Sequence, residues 1–120
     1  MALKINITAP TNNTYPEAYI KFKEVTKLNY DEKIAHLLFF AWKDEASRFA
    51  EGSPKRTIAK FTYVLKGDKF DAYLAHTVFE TNETNIWKQV YTVIKSESEL
   101  DAGDLGPSVD FTTAIDTDEV

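Results

Sequence analysis

The chain contains no cysteine and only four glycines and four prolines. Without cysteine there is no disulfide scaffold, no thiolate zinc site and no thiol nucleophile. So few glycines leave no glycine-rich loop able to cradle a phosphate, and no Gly-x-Ser-x-Gly elbow occurs. No run approaches the ~18 apolar residues of a membrane helix. The opening Met1-Ala2-Leu3-Lys4-Ile5-Asn6 lacks an apolar h-region, so no cleaved secretory signal is expected. One further absence is local: no basic residue follows Lys95.

That last absence divides the molecule. The chain has 120 residues, 43% hydrophobic and 28% charged, which fits one globular domain. A domain of this size buries roughly two thirds of the surface its unfolded chain exposes. All 14 lysines and arginines lie at or before Lys95 with 11 acids, a balance of +3. The eight acids beyond it give −8 and restore the total of −5. The chain therefore reads as a basic body up to Lys95 and an acidic stretch beyond it, with a single domain expected over 1–105 and an acidic C-terminal extension over 106–120. A solvated tail is one reading of that extension. However, Leu105, Val109, Phe111, Ile115 and Val120 punctuate it, as in a segment that orders on a partner. The negative total weighs against nucleic acid as the main partner, and the slightly basic body weakens that exclusion.

Hydrophobic periodicity sets the expected elements. Residues 4–8 read as a short strand, closed by Ala9-Pro10 and the turn-rich Thr11-Asn12-Asn13-Thr14. Residues 18–27 alternate, with Ile20, Phe22 and Thr26 on one face. Tyr19, Lys21, Lys23, Val25 and Lys27 fall on the other, wetter face. Residues 34–42 are apolar on both faces, as in a central strand under a second layer or at a subunit interface. Residues 44–51 read as a turn or short insertion, and 57–65 as a fourth strand. Over 70–79 the spacing of Phe70, Leu74 and Val78 suits a helix, while Thr77-Val78-Phe79 suits a strand. Thr84 or Asn82 can cap a helix through Lys95 with a stripe of Ile86, Trp87, Val90, Tyr91 and Ile94. The expected class is α+β: about four antiparallel strands, one C-terminal helix packed on them, and an extended acidic tail.

Catalytic chemistry has little to stand on. His36 and His76 have no ligand-like spacing, which favours structural roles over acid–base or metal work. The paired acids Asp31-Glu32, Asp44-Glu45 and Asp68/Asp71 read as solvated turns rather than a catalytic dyad. A cone-shaped α+β enzyme of the isomerase-like kind, using one His and one Asp in an apolar pocket, is an alternative by analogy only. Lys21, Lys23, Lys27, Lys60 and Lys66 interleaved with aromatics could instead form a platform for single-stranded nucleic acid or sugar. Against that, Phe22, Phe39, Phe40, Phe61 and Trp87 fall on faces that look buried. Sequons at Asn6, Asn12 and Asn82 read as chance matches in the absence of a signal.

Several short elements recur together in a known group. These are Met1-Ala2-Leu3-Lys4, Ala18-Tyr19-Ile20 leading to Val25, the apolar strand from Ala35, and Asp44-Glu45-Ala46-Ser47-Arg48. A β segment with Phe61, then Phe70-Asp71-x-Tyr73, Val90-Tyr91-x-x-Ile94-Lys95 and Ala102-x-Asp104 complete the pattern. Over residues 1 to about 105 the chain resembles small proteins encoded in the tail modules of tailed bacteriophages and prophages. That resemblance implies a non-enzymatic virion structural protein of the tail, baseplate or fibre-attachment region. It further implies no cofactor or metal, assembly in the host cytoplasm, a homo-oligomer, and other tail proteins as partners. Neither membrane nor nucleic acid is expected as a partner. Residues 106–120 depart from the family pattern. They are expected to lie on a neighbouring subunit, anchored by Phe111 and Ile115, with Leu105, Val109 and Trp42 as further contact residues.

Overall fold

The computed structural model describes residues 2–8, 14–81, 84–106 and 108–117. The turn at 9–13, the sequons at Asn12 and Asn82, the cap alternative Asn82 and Val120 lie outside them. Among the described residues, β1 (Ala2–Thr8), β2 (Thr14–Asn29), β3 (Ile34–Trp42), β4 (Ala59–Lys66) and β5 (Ile115–Thr117) form one sheet. Its order is β4-β3-β2-β1-β5, with every pairing antiparallel. The helices are α1 (Glu45–Phe49), α2 (Asp68–Leu74), α3 (His76–Thr81) and α4 (Ile86–Lys95).

This corrects the expected four strands, single C-terminal helix and extended tail. The sheet has five strands, and α1, the α2–α3 pair and α4 pack on it separately. Each missed element is short. β5 has three residues, too few to show a period, and α1 has five. α1 stands because Asp44 caps it, its carboxylate accepting from the Ser47 amide at 2.8 Å, and Gly52 turns the chain beyond it at φ +74°. The ambiguous stretch resolves into two helices meeting at the extended Ala75, with Phe70 and Leu74 buried one turn apart on α2. Asn85 caps α4, accepting from the Lys88 amide at 3.1 Å, and Val90, Tyr91, Val93 and Ile94 bury its inner stripe.

The main core lies between the sheet and α2–α4. Leu3 and Ile5 of β1, Ala18, Ile20 and Phe22 of β2, and Ala35, Leu37 and Phe39 of β3 supply its floor. Strict alternation does not survive along β2. Bulges between Phe22 and Glu24, and between Val25 and Lys27, each insert one residue. Each resets which face the next side chain takes. Val25 thereby pairs with Leu37 and packs on the core, although the period-two reading puts it with the lysines. Beyond its pairing with β1 the second half of β2 is an edge, and there the Phe22 amide donates to the Tyr91 hydroxyl at 2.7 Å. Tyr91→Phe leaves that buried amide unpaired. The variant should lose about 1–3 kcal/mol in urea unfolding, with faster hydrogen exchange at Phe22.

The acidic segment folds onto its own chain. Leu100 and Val109 exchange backbone hydrogen bonds at 3.0 and 2.8 Å, and the Phe111 amide donates to the Glu97 carbonyl at 2.9 Å. Between them Gly106 sits at φ +144°, a conformation that essentially only glycine adopts. Phe111 is fully buried against Phe61, their ring centroids 6.0 Å apart. β5 then pairs with β1, Lys4 opposite Ile115, and Asp116 meets Lys95 at 3.1 Å. Acidic extension and basic body thus meet within one chain.

Candidate interaction surface

The two faces of the sheet are covered unequally. The helix side is closed by α2–α4 and by residues 97–114, whose Leu100, Leu105, Val109 and Phe111 all enter the main core. Among the described residues the other face is covered only at one end. There Trp42, Tyr19 and Ala2 form a second small core. α1 caps it, with Phe49 edge-on to Tyr19 at 6.1 Å and the Arg48 guanidinium 5.0 Å from the Trp42 ring. The Trp42 indole N–H donates to the Ser53 carbonyl at 2.8 Å, and Lys4 ties β1 to Glu45 of α1 at 2.7 Å.

Past Phe40 the face is open, and strand register composes it. Phe40 lies between Lys21 and Lys60, Leu38 between Glu24 and Thr62, His36 between Lys27 and Val64, and Ile34 between Asn29 and Lys66. The result is a half-buried apolar spine along β3 with lysines down both flanks. Val64 adds to the spine at 43% exposure. The Lys60 and Lys23 ammonium groups stand 4.7 and 5.4 Å from the Phe40 ring centroid. Lys21 turns round the β2 edge instead, to 5.4 Å from the Trp87 ring on the helix side. Lys23, Lys27, Lys60 and Lys66 are exposed and make no ion pair with the described residues. Glu24 is the one carboxylate in these rows.

No family model, curated protein or solved structure matches this chain. These comparisons lend no support to the expected resemblance to phage tail-module proteins, and the surface's own chemistry carries the functional reading.

Of the five residues expected to touch a partner, four are committed inside the molecule. Leu105, Val109 and Phe111 lie in the main core, and Trp42 lies beneath α1. Ile115 alone is accessible, 68% exposed on the edge strand β5. The aromatics also divide: Phe22, Phe39 and Phe61 are core, Phe40 lies on the open face, and Trp87 sits 44% exposed at 4.9 Å from Phe22. The lysines of this face were already grouped as a possible platform, but Phe40 looked like core. The available signal was the lysine spacing on β2 and β4, which register brings to the same side.

The titratable candidates are dispersed. His36 lies on the open face, and His76 stacks on Tyr30 at 4.4 Å. Asp44 is a helix cap, Glu45 pairs with Lys4, and Asp71 pairs with Lys33 at 2.9 Å. No group of three His, Asp or Glu residues among those described could hold a metal ion. A cleft of about 430 Å³ opens between β1 and the acidic segment, lined by Ile7, Leu105, Val109 and Asp110 among others. The Asp110 carboxylate there is already engaged by the Thr112 amide at 3.0 Å. Among the described residues no helix is long and apolar enough to cross a membrane.

A concentrated ionic site pins the root of the acidic segment. Glu97 accepts from the Tyr63 hydroxyl at 2.8 Å and from the Lys69 ammonium. Burial pushes the Glu97 carboxyl up, but the Lys69 and Tyr63 hydrogen bonds together outweigh it and leave the group below the ordinary glutamate value. Burial, followed by the carboxylate itself, pushes the Tyr63 hydroxyl up. A depressed carboxylate stabilises the fold above its unfolded pKa and loses that contribution as the pH falls through the folded value. The thermal midpoint should therefore drop on acidification below the ordinary glutamate range. Glu97→Gln should cost about 1 kcal/mol near neutral pH, because Lys69 is solvent-screened, and should flatten the profile across that window.

Proposed function

We propose that this chain is a non-enzymatic assembly protein that works through protein–protein contacts made by its open sheet face. The observation that carries this is the half-buried spine of Ile34, His36, Leu38 and Phe40, left uncovered by the described residues beside four lysines that make no ion pair with them. Apolar surface framed by unpaired charge suits a protein partner that offers both acids and apolar groups. The resemblance in residues 1 to about 105 supports a setting in the tail, baseplate or fibre-attachment region of a virion, with the host cytoplasm as the site of assembly. A single-stranded nucleic-acid platform is less well supported. Base stacking needs an open aromatic face, and Phe40 is half-buried with two ammonium groups close to its ring.

Co-expression with the products of neighbouring reading frames, followed by native mass spectrometry, tests the reading. A defined complex that is lost in Lys23→Glu/Lys60→Glu is the expected result. No complex with any neighbour, together with a chain that stays monomeric, would remove the basis for it.

A further inference from the structure

The charges that make no ion pair with the described residues fall on opposite sides of the sheet. Lys23, Lys27, Lys60 and Lys66 stand on the open sheet face. On the helix side Glu99, Asp101, Asp104 and Asp110 are exposed and make no ion pair with the described residues. They project from the segment whose Leu100, Leu105 and Val109 anchor it in the helix-side core. Gly103 turns that segment at φ +60° beside β4, in ordinary contact distance of the Lys60 carbonyl. Over the described part of residues 68–117 nine acids stand against three lysines. The split between basic body and acidic extension is thus also a split between two surfaces.

We propose that the open sheet face of one copy of this chain docks the acidic helix-side layer of a second copy, head to tail. The proposal rests on the assembly reading and names the partner. Charge decides between the two ways copies could meet. Sheet face against sheet face would oppose lysine to lysine, whereas sheet face against acidic layer pairs opposite signs over the same area. Each copy then keeps one face free, so the contact repeats and gives a ring if the rotation closes or a filament if it does not. Strands stand ~4.8 Å apart and rise ~3.3 Å per residue, so the open patch from Phe40 to Ile34 measures about 15 by 23 Å. That is well under the ~800 Å² per partner of a standard interface. A single contact is therefore weak, steered by charge and sensitive to salt.

Sedimentation velocity on the full chain at low and high salt, over a range of concentrations, tests this with two charge-reversed variants. The wild type should form a concentration-dependent series at low salt that dissociates at high salt. Lys23→Glu/Lys60→Glu and Asp101→Lys/Asp104→Lys should each associate at least tenfold more weakly. An equimolar mixture of the two should recover the series, because each reversed face then meets an opposite one. All four positions are exposed, and an unchanged far-UV spectrum confirms folding; Lys27→Glu/Lys66→Glu substitutes if the first pair fails to fold. A wild type that remains monomeric, variants that associate like it, or a mixture that recovers nothing overturns the proposal. So does a face that binds a single-stranded oligonucleotide and no second copy. If the wild type is monomeric but Lys23→Glu/Lys60→Glu loses a complex with a co-expressed neighbour, self-docking falls and the assembly reading stands. If neither association exists, both fall.

Discussion

Phe111→Ala should lower stability by about 3–5 kcal/mol, the cost of emptying a fully buried aromatic site. Phe111 has no exposed surface and packs on Phe61, which in turn stacks on Phe39 at 5.2 Å. A cavity at Phe111 therefore opens toward the centre of the main core. Its backbone is held as well, through the hydrogen bond its amide donates to the Glu97 carbonyl, so the surroundings can collapse only partly. Truncation after Leu105 goes further, because it removes Val109, Phe111, Ala114 and β5 together. The truncated chain should lose its cooperative thermal transition. A shortened protein that melts like the full chain would show that residues 106–117 are an appendage and not part of the fold.

A loss of similar size, about 3–5 kcal/mol, is expected for Trp42→Ala on the opposite side of the sheet. Trp42 is 1% exposed, packs edge-on to Tyr19 at 6.4 Å, lies under the Arg48 guanidinium, and donates to the Ser53 carbonyl. Removing the indole takes away the surface on which α1 rests and one of the two donors to the Ser53 carbonyl, which keeps the Arg56 amide at 2.9 Å. Trp42→Phe separates these effects. It keeps most of the apolar contact and removes only the N–H, while the Ser53 carbonyl stays paired with the Arg56 amide, so about 1 kcal/mol of the loss should remain. Urea unfolding of both variants measures the two contributions. Full retention of stability in Trp42→Ala would mean that α1 is not anchored there.

β3 was the most legible element, because nine residues apolar on both faces fit only a strand with something on each side. The structure supplies α2–α4 on one side and, at the Trp42 end, α1 on the other. β2 was legible as a strand but not in its facing. Its two bulges are invisible to a period-two count, and they move Val25 to the core side. β2 also begins earlier than expected, at Thr14, and so contains Pro16. The proline is tolerated where the register shifts between Ile5 and Ile7. The helix at Ile86–Lys95 followed from its stripe, but its cap is Asn85, whose carboxamide does what Thr84 was expected to do.

The acidic segment is where composition misled. Apolar residues spaced among acids looked like anchors for another molecule, and Phe111, Val109 and Leu105 are anchors, but into their own core. Sequence shows that such residues must be buried and is silent on whose surface buries them. The open face has the opposite history. Lys23, Lys27, Lys60 and Lys66 were each visible, but only the register of β2, β3 and β4 sets them along one spine.

The pairing of Ala2 with Thr117 joins the first described strand to the last. During synthesis β1, β2, β3 and β4 can zip as successive hairpins, while the free side of β1 waits for residues 115–117, made after every other strand. Sheet completion is thus the most non-local event in the chain, and loop closure over that distance comes before the contacts it allows. The exposed β1 edge is the segment most open to wrong pairing in the nascent protein.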